Sequence, residues 1–179
     1  MHAATPAVGE NLLKQPVDYE WTRTPRGAWR RFMYSDGSMF AEYTSTVCFG
    51  RLPLVHITWG KCPETGRRIH AVGILAIGRR ATGVLAIGQM AVGLVAIGQL
   101  ALGVGFGFGQ AATGCLAVGQ AAMAAAFGVG QFVYSGYAAV AQMGIGEYVV
   151  AQYGLGSHVI DMRGVDPVAK DFFLSWLSQ

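Results

Sequence analysis

The chain has 179 residues, enough for one domain with its own core, and 13 Lys/Arg against 10 Asp/Glu leave a formal net charge of +3. A surplus this small and scattered does not indicate nucleic-acid binding. Residues 71–160 carry only three charged side chains, Arg79, Arg80 and Glu147. We therefore predict a polar head, an almost uncharged body and a short polar tail.

Residues 1–17 are predicted to be an N-terminal arm. They lack the basic stretch and continuous apolar stretch of a signal peptide, so we expect a cytoplasmic protein. The three cysteines, Cys48, Cys62 and Cys115, are odd in number and far apart, which is typical of reduced thiols. Cys48 and Cys62 with His56 and His70 lack the short spacings of a zinc site, so we predict no metal and no cofactor.

Residues 18–68 are predicted to form a β-rich N-terminal cap. The stretch "RRFMYSDGSMFAEYTS" contains two alternating runs around Asp36 and Gly37, a dipeptide that favours a tight hairpin turn. The stretch "LPLVHITWG" predicts a further strand, and "KCPETGRR" predicts a turn that leads into the next region.

Two spacings recur through the uncharged body. Glycine returns at every fifth residue from Gly73 to Gly103, and glutamine returns at every tenth or eleventh residue. The glutamines are Gln89, Gln99, Gln110, Gln120, Gln131, Gln142 and Gln152, with Arg79 in the same register. Internal repetition of this kind predicts a repeat architecture.

Neither a helix nor a single long strand fits these spacings. Five residues turn about 140° around a helix and ten turn about 280°, so neither residue type would keep to one face. On one long strand, a step of eleven would move glutamine to the opposite face. We therefore predict an all-β fold, a single-stranded β-solenoid over residues 69–160 whose coils contain ten or eleven residues.

The predicted solenoid has about nine coils. They start at Ile69, Arg79, Gln89, Gln99, Gln110, Gln120, Gln131, Gln142 and Gln152. Each coil has two half-turns of the form A-x-G-x-x, and we expect the glycines to supply the backbone freedom that tight corners need. The glutamines would lie in one column, where their amides can bond along the stack in a glutamine ladder.

Alternation along the strands predicts the core. Arg80 directly follows the glutamine register and must point outward, so the alanines one place later point inward. They are Ala71, Ala81, Ala91, Ala101, Ala112 and Ala122, and the second half-turn adds Ala76, Ala86, Ala96 and Ala117. The inverted arrangement, with Leu and Ile inside and Ala outside, stays open as an alternative.

The same alternation places branched apolar residues outside, on what we call the predicted assembly face. It consists of Leu75, Ile77, Leu85, Ile87, Val95, Ile97, Leu116 and Val118. A monomer rarely exposes a contiguous apolar patch larger than roughly a few hundred Å². We therefore expect another surface to cover this face.

Residues 161–179 are predicted to form a C-terminal capping helix. In "DPVAKDFFLSWL", Asp166 suits the N-cap and Pro167 the first helical position. The head and this helix are expected to cap the two ends of the solenoid, because an uncapped end would leave a strand edge unpaired.

The segment "PLVHITWGKCPETGRRIHAVGILAIG", the repeats and the closing "DPVAKDFFLSWL" resemble uncharacterised bacterial proteins with A-I-G and A-V-G repeats. The repeats are more loosely similar to pentapeptide-repeat solenoids and to bactofilins, whose apolar β-solenoids polymerise without nucleotide. The chain departs from both, because glycine stands where the pentapeptide pattern has a large residue and because bactofilin coils are longer. The resemblance implies a β-solenoid and carries no site residues.

The repeat region also lacks the convergent polar groups of an active site, since no charged residue and no histidine lies between Arg80 and Glu147. We predict a non-enzymatic structural protein that self-assembles through its apolar solenoid faces into a filament or other polymer. Its partner is itself, with no nucleic acid and no small-molecule substrate. The alternatives are a protein whose apolar face contacts membrane lipid, with Trp21, Trp29, Arg30 and Arg31 at the interface, and a scaffold for a partner protein.

Overall fold

The computed structural model describes residues 17–178, and the chain divides into two compact units, Met1–Met90 and Ala91–Gln179. Strand accounts for 71% of the described residues, in a β-solenoid of about three turns with one short C-terminal helix. The predicted all-β class and the solenoid are therefore confirmed. The predicted N-terminal arm lies outside the described residues except for Val17, so it stays a prediction.

The first unit opens with an antiparallel sheet. Its strands are β1 (Glu20–Thr24), β2 (Gly27–Met33), β3 (Met39–Ser45), β4 (Cys48–Phe49), β5 (Leu52–Pro53) and β6 (Val55–Trp59). β1, β2, β3 and β6 are neighbours in that order, and β4 pairs with β5 in a separate ribbon. The β2–β3 loop is longer than the tight turn predicted, since the Tyr34 N–H donates to the Ser38 carbonyl oxygen at 2.9 Å. Gly37 in this loop has a φ of 78°, a conformation that glycine adopts without strain.

The sheet leads directly into the solenoid. β6 pairs in parallel with the start of β7 (Ala71–Ser135), so that His56 lies opposite Ala76. The turn predicted in "KCPETGRR" joins the two strands. Parallel neighbours need a long connection between them, and in a solenoid each coil provides that connection.

The second unit shows the coil period in the register of its strands. After β7 come β8 (Ala138–Ile145), β9 (Tyr148–Leu155), β10 (His158–Asp161), β11 (Gly164–Val165) and the helix α1 (Pro167–Leu177). Phe127 pairs with Ala138, which in turn pairs with Tyr148, and Tyr148 pairs with His158. The steps of eleven, ten and ten residues agree with the glutamine spacing.

Close stacking, rather than backbone freedom, explains the glycines of the repeat. Among residues 17–178, no repeat glycine has a positive φ, so the predicted role at tight corners is wrong. In the first unit, a Cβ on Gly83 would lie 2.1 Å from the Gly73 carbonyl oxygen. In the second unit, a Cβ on Gly119 would lie 2.3 Å from the Gly109 carbonyl oxygen. Each of these glycines lies against the glycine one coil earlier, where a side chain has no room.

Alanine fills the core, which confirms the predicted inward face against the inverted arrangement. The ten alanines are 0–5% exposed: Ala71, Ala76, Ala81, Ala86, Ala91, Ala96, Ala101, Ala112, Ala117 and Ala122. Later coils use another pair of residues, since Val149 is fully buried and a Cβ on Gly144 would lie 2.9 Å from Val149 Cγ1. There, a valine against a glycine fills the space that two alanines fill elsewhere.

Side chains and β11 close the edge of the last parallel strands. β11 pairs antiparallel with β10. Asp161 Oδ2 accepts a hydrogen bond from the Gly154 N–H at 3.2 Å, and the Arg163 guanidinium donates to the Gly154 carbonyl oxygen. These two side chains therefore satisfy backbone groups of β9 that a further coil would otherwise bond.

The helix α1 begins where the sequence predicted. Asp166 is its N-cap, with a side chain that accepts a hydrogen bond from the Ala169 N–H at 3.0 Å, and Pro167 lies in the first turn. That hydrogen bond, and then the contact with His158, hold the pKa of Asp166 below its usual value, against partial desolvation. His158 Nδ1 lies 3.4 Å from Asp166 Oδ1.

The helix does not lie across the end of the stack, which corrects the predicted capping role. Phe172 stacks on Tyr148 with ring centroids 4.2 Å apart, and the Trp176 ring lies 5.4 Å from the Phe127 ring. Tyr148 pairs with Ala138, and Ala138 pairs with Phe127, so the two contacts are separated by two coils. The helix therefore packs along the outer surface of these coils.

Candidate assembly surface

The predicted assembly face lies outside the alanine core, but most of it is only half exposed. Leu75, Ile77, Leu85 and Ile87 in the first unit and Val95, Ile97 and Val118 in the second are half-buried, and Leu116 is 44% exposed. Side chains in the same column of adjacent coils are about 4.8 Å apart, so they cover one another's flanks. The contact made by this face stays a prediction.

In the second unit, α1 covers the continuation of this face. Tyr148 lies six residues after a glutamine, as Leu116 does, and Tyr137 directly precedes Ala138, the residue that pairs with Tyr148. Phe172 of α1 contacts both rings, with centroid distances of 5.6 Å to Tyr137 and 4.2 Å to Tyr148. At these coils the chain itself supplies the apolar cover.

A second apolar surface has no such cover within residues 17–178. It consists of two columns of large side chains, one and three residues after the glutamines of the last coils. We call them the apolar ladder: Phe132, Met143 and Tyr153 in one column, and Tyr134, Ile145 and Leu155 in the other. Each is 46–61% exposed, and neighbours within a column pair across adjacent strands.

The apolar ladder borders a groove of about 620 Å³ in the second unit. The groove continues over earlier coils, where the first column holds the small residues Ala111 and Ala121, and it also reaches Arg163. Large side chains beside small ones create this depression. Because nearly all of the lining residues are apolar, the groove suits an apolar partner surface.

The sequence contained the signal for this ladder. Arg80 already fixed the position after the glutamine register as outward, and Phe132, Met143 and Tyr153 occupy that same position in three successive coils. The regular Leu and Ile pairs predicted a different face, and these less regular residues were not predicted to form a surface. The informative feature was a run of large apolar side chains at the outward position directly after the glutamines.

The predicted glutamine ladder can be followed in the strand register only at the last coils. All seven glutamines are exposed, and the pairing of Phe132 with Met143 places Gln131 beside Gln142. In the described part of the chain, no hydrogen bond joins two of these side chains. The glutamines therefore form a polar, solvated edge of the coils.

The first unit contains a polar network that the sequence did not predict. Arg30 on β2, Glu42 on β3 and His56 on β6 come from neighbouring strands. Arg30 Nε donates to Glu42 Oε2 at 3.0 Å, and His56 Nε2 lies 3.2 Å from Glu42 Oε1. The Val72 N–H donates to His56 Nδ1 at 2.9 Å, so Nε2 carries the proton that binds Glu42.

This network is saturated, which suits a structural role better than proton transfer. Both carboxylate oxygens of Glu42 and both ring nitrogens of His56 are occupied. The hydrogen bond from His56, and then the one from Arg30, hold the pKa of Glu42 below its ordinary value, while partial burial acts in the opposite direction. The network ties β6 to the first strand of the solenoid. Arg30 is thus held within the sheet, whereas the lipid alternative had placed it at a membrane interface.

Neither a metal cluster nor a spanning helix occurs in the described chain. Within residues 17–178, no three His, Cys, Asp or Glu side chains come together as metal ligands. Cys48 and Cys115 are exposed and Cys62 is buried, and all three are free thiols. No helix in the same range has the length and apolarity needed to cross a membrane.

Comparison with known proteins does not place the chain in a family. No protein-family model, no curated protein and no solved structure matches it. Its function must therefore be inferred from the surfaces described above.

Proposed function

We propose that this protein is a non-enzymatic structural protein that self-assembles, copy against copy, through the apolar outer surface of its solenoid. The observation that carries the proposal is the apolar ladder, with six large apolar side chains on three consecutive coils. Burying such a surface is favourable by roughly 25 cal/mol per Å² of apolar area, before the entropy of association is subtracted. A second copy offers a surface of the same kind.

A polymer, rather than a closed dimer, is supported by repetition. Because the ladder repeats from coil to coil, a neighbouring copy can bind it displaced by a coil, so that one part of the ladder contacts a different part of the next copy's ladder. Contacts between unlike patches build open chains when their rotation does not close a ring. A filament or other extended assembly is the expected product.

We also propose that the solenoid extends over about nine coils, with residues 18–68 as its N-terminal cap. The buried alanines recur at the coil period from Ala71 onward in both units, which supports the count. The parallel pairing of β6 with β7 supports a cap that continues the stack. The free thiols support a cytoplasmic location.

A single charge at the centre of the apolar ladder tests the proposal. Met143 lies between Phe132 and Tyr153 in its column, so in Met143→Glu the contact would bury an unpaired carboxylate, at a large cost. We expect the wild type to sediment as large assemblies and Met143→Glu to remain in the supernatant with an unchanged β signal in circular dichroism. Gln142→Glu, an exposed neighbour at the coil corner, is the matched control and should still assemble.

Two outcomes would contradict this proposal. If Met143→Glu sediments like the wild type while Ile87→Glu does not, the contact is the predicted assembly face rather than the ladder. If the wild type pellets only with lipid vesicles and detergent releases it, the apolar surface contacts lipid and the self-assembly proposal fails.

A further inference from the structure

The first unit contains a cavity of its own, apart from the groove beside the apolar ladder. It is a notch of about 290 Å³ at the end of β6. Its side chains include Trp59, Arg68, Arg79 and Gln89, and we call it the arginine notch. In the parallel pairing of β6 with β7, Ile57 lies opposite Ile77, and Trp59 and Arg79 each follow two residues later. The notch therefore combines an indole ring, two guanidinium groups and a side-chain amide.

The wall of the notch includes two glycines of the repeat. Gly78 and Gly88 line it, and neither position has room for a side chain. A Cβ on Gly78 would lie 2.4 Å from Thr58 Oγ1, and one on Gly88 would lie 2.0 Å from the Gly78 carbonyl oxygen. Such Cβ atoms would point at packed atoms of the neighbouring strand or coil, so at these two positions the notch is bounded by backbone.

The two arginines of the notch lack an anionic partner. Among residues 17–178, neither the Arg68 side chain nor the Arg79 side chain makes a hydrogen bond, an ion pair or a ring contact. By contrast, Arg30 binds Glu42, and Arg31 lies 5.0 Å from the Trp29 ring. Both arginine side chains are exposed and unpaired, so an oxyanion that enters the notch would displace no existing partner.

The indole ring is also available to a ligand. Trp59 is 71% exposed, and no ring or cation of the described chain packs on it. An exposed aromatic face beside cations favours a ligand that is itself partly flat and apolar. The volume of the notch lies near the lower end of the range for small-molecule sites, about 300 Å³.

We propose that the arginine notch binds a small organic anion in which a phosphate or carboxylate is attached to a flat ring. The guanidinium groups of Arg68 and Arg79 would donate paired hydrogen bonds to the oxyanion, a geometry that arginine supplies and lysine does not. The ring of the ligand would stack on Trp59. Gln89 offers an amide that can donate or accept. This site is independent of the proposed assembly through the apolar ladder.

Calorimetric titration of the full chain with adenosine monophosphate, and separately with inorganic phosphate, tests the proposal. We expect adenosine monophosphate to bind more tightly than phosphate, because only the nucleotide has a ring. Arg79→Gln should weaken nucleotide binding about tenfold or more. Trp59→Leu should weaken nucleotide binding about threefold or more and leave phosphate binding unchanged.

Arg80→Gln is the matched control, because Arg80 is also exposed and unpaired but does not line the notch. It should keep nucleotide binding within about twofold, and all variants should keep the wild-type β signal and the wild-type sedimentation. The proposal is overturned if neither anion binds at millimolar concentration. It is also overturned if Arg79→Gln and Arg80→Gln weaken binding equally, or if Trp59→Leu weakens both anions alike.

Discussion

The two units are built from the same kind of coil but carry different side chains on its outer surface. In residues 17–90 there are ten Lys/Arg and five Asp/Glu, and these side chains build the Arg30–Glu42–His56 network and the arginine notch. In residues 91–178 there are two Lys/Arg and four Asp/Glu, and the outer positions carry the apolar ladder instead. Inward positions alone therefore determine the coil, which leaves outward positions free to differ in chemistry.

The units also differ in how they fill the core. In the first unit alanines such as Ala76 and Ala86 are fully buried, and the tight contacts of Gly83 are with backbone atoms. In the last coils of the second unit, the tight contact of Gly144 is with a valine side chain, Val149 Cγ1. A backbone atom in a ladder cannot move without breaking hydrogen bonds, whereas a side chain can be replaced. The two kinds of glycine should therefore respond differently to substitution.

Gly83→Ala is expected to have the largest effect. Its new Cβ would lie 2.1 Å from the Gly73 carbonyl oxygen, a contact that only a shift of the backbone relieves. We expect the free energy of unfolding to fall by about 3 kcal/mol or more, the upper end of overpacking costs. Urea denaturation followed by circular dichroism measures it.

Gly164→Ala provides the control for this glycine. A Cβ there meets no atom within 4 Å, and Gly164 has no positive φ. Its stability should stay at or slightly above that of the wild type, because alanine reduces the entropy of the unfolded chain. Equal stability of Gly83→Ala and Gly164→Ala would contradict the stacking of glycine against backbone.

The sequence predicted the parts of the fold that depend on regular spacing. The coil period, the alanine core and the Asp166 N-cap follow from local patterns, and the structure confirms each. The predicted role of the repeat glycines at tight corners was wrong. A need for backbone freedom and a lack of space for a side chain both require glycine, so the spacing fits either explanation. Only the distance between coils, such as that from Gly83 to Gly73, distinguishes the two explanations.

The candidate sites were harder to predict because they join residues that are distant in sequence. Arg30 and His56 meet at Glu42 only after three strands have paired, and Trp59 and Arg79 line one cavity only after a coil has formed. The position of α1 depends in the same way on rings from three coils. Periodicity defines which face a residue occupies, but it does not define which distant residue lies beside it.

Gly144→Ala is expected to have a smaller effect than Gly83→Ala, and one that a second substitution reverses. The new Cβ would lie 2.9 Å from Val149 Cγ1, at a cost of about 1–3 kcal/mol for overpacking. Val149→Ala alone removes buried methyl groups and should cost about 2 kcal/mol. The double variant recreates the alanine pair of the first coils. Its loss in free energy of unfolding should therefore be smaller than the sum of the two single losses by about 1 kcal/mol or more. Additive losses would show that these residues do not pack against each other.

Glu42→Gln tests the polar network of the first unit. At neutral pH it should have the smallest effect on the free energy of unfolding, and this effect should disappear at low pH. The folded-state pKa of Glu42 lies below its ordinary value of 4.5, mainly because of the hydrogen bonds from His56 and Arg30. Its stabilising contribution is therefore complete above that pH and is lost as the pH falls through the lowered pKa. Urea denaturation should show wild type more stable than Glu42→Gln at pH 7, with the difference shrinking steadily below pH 4.5. Glu20→Gln, exposed on β1, is the control and should match the wild type at both ends of the range. If the difference in free energy of unfolding between wild type and Glu42→Gln stays constant with pH, the charge of Glu42 does not stabilise the antiparallel sheet of the first unit. The role of Glu42 would then be limited to packing.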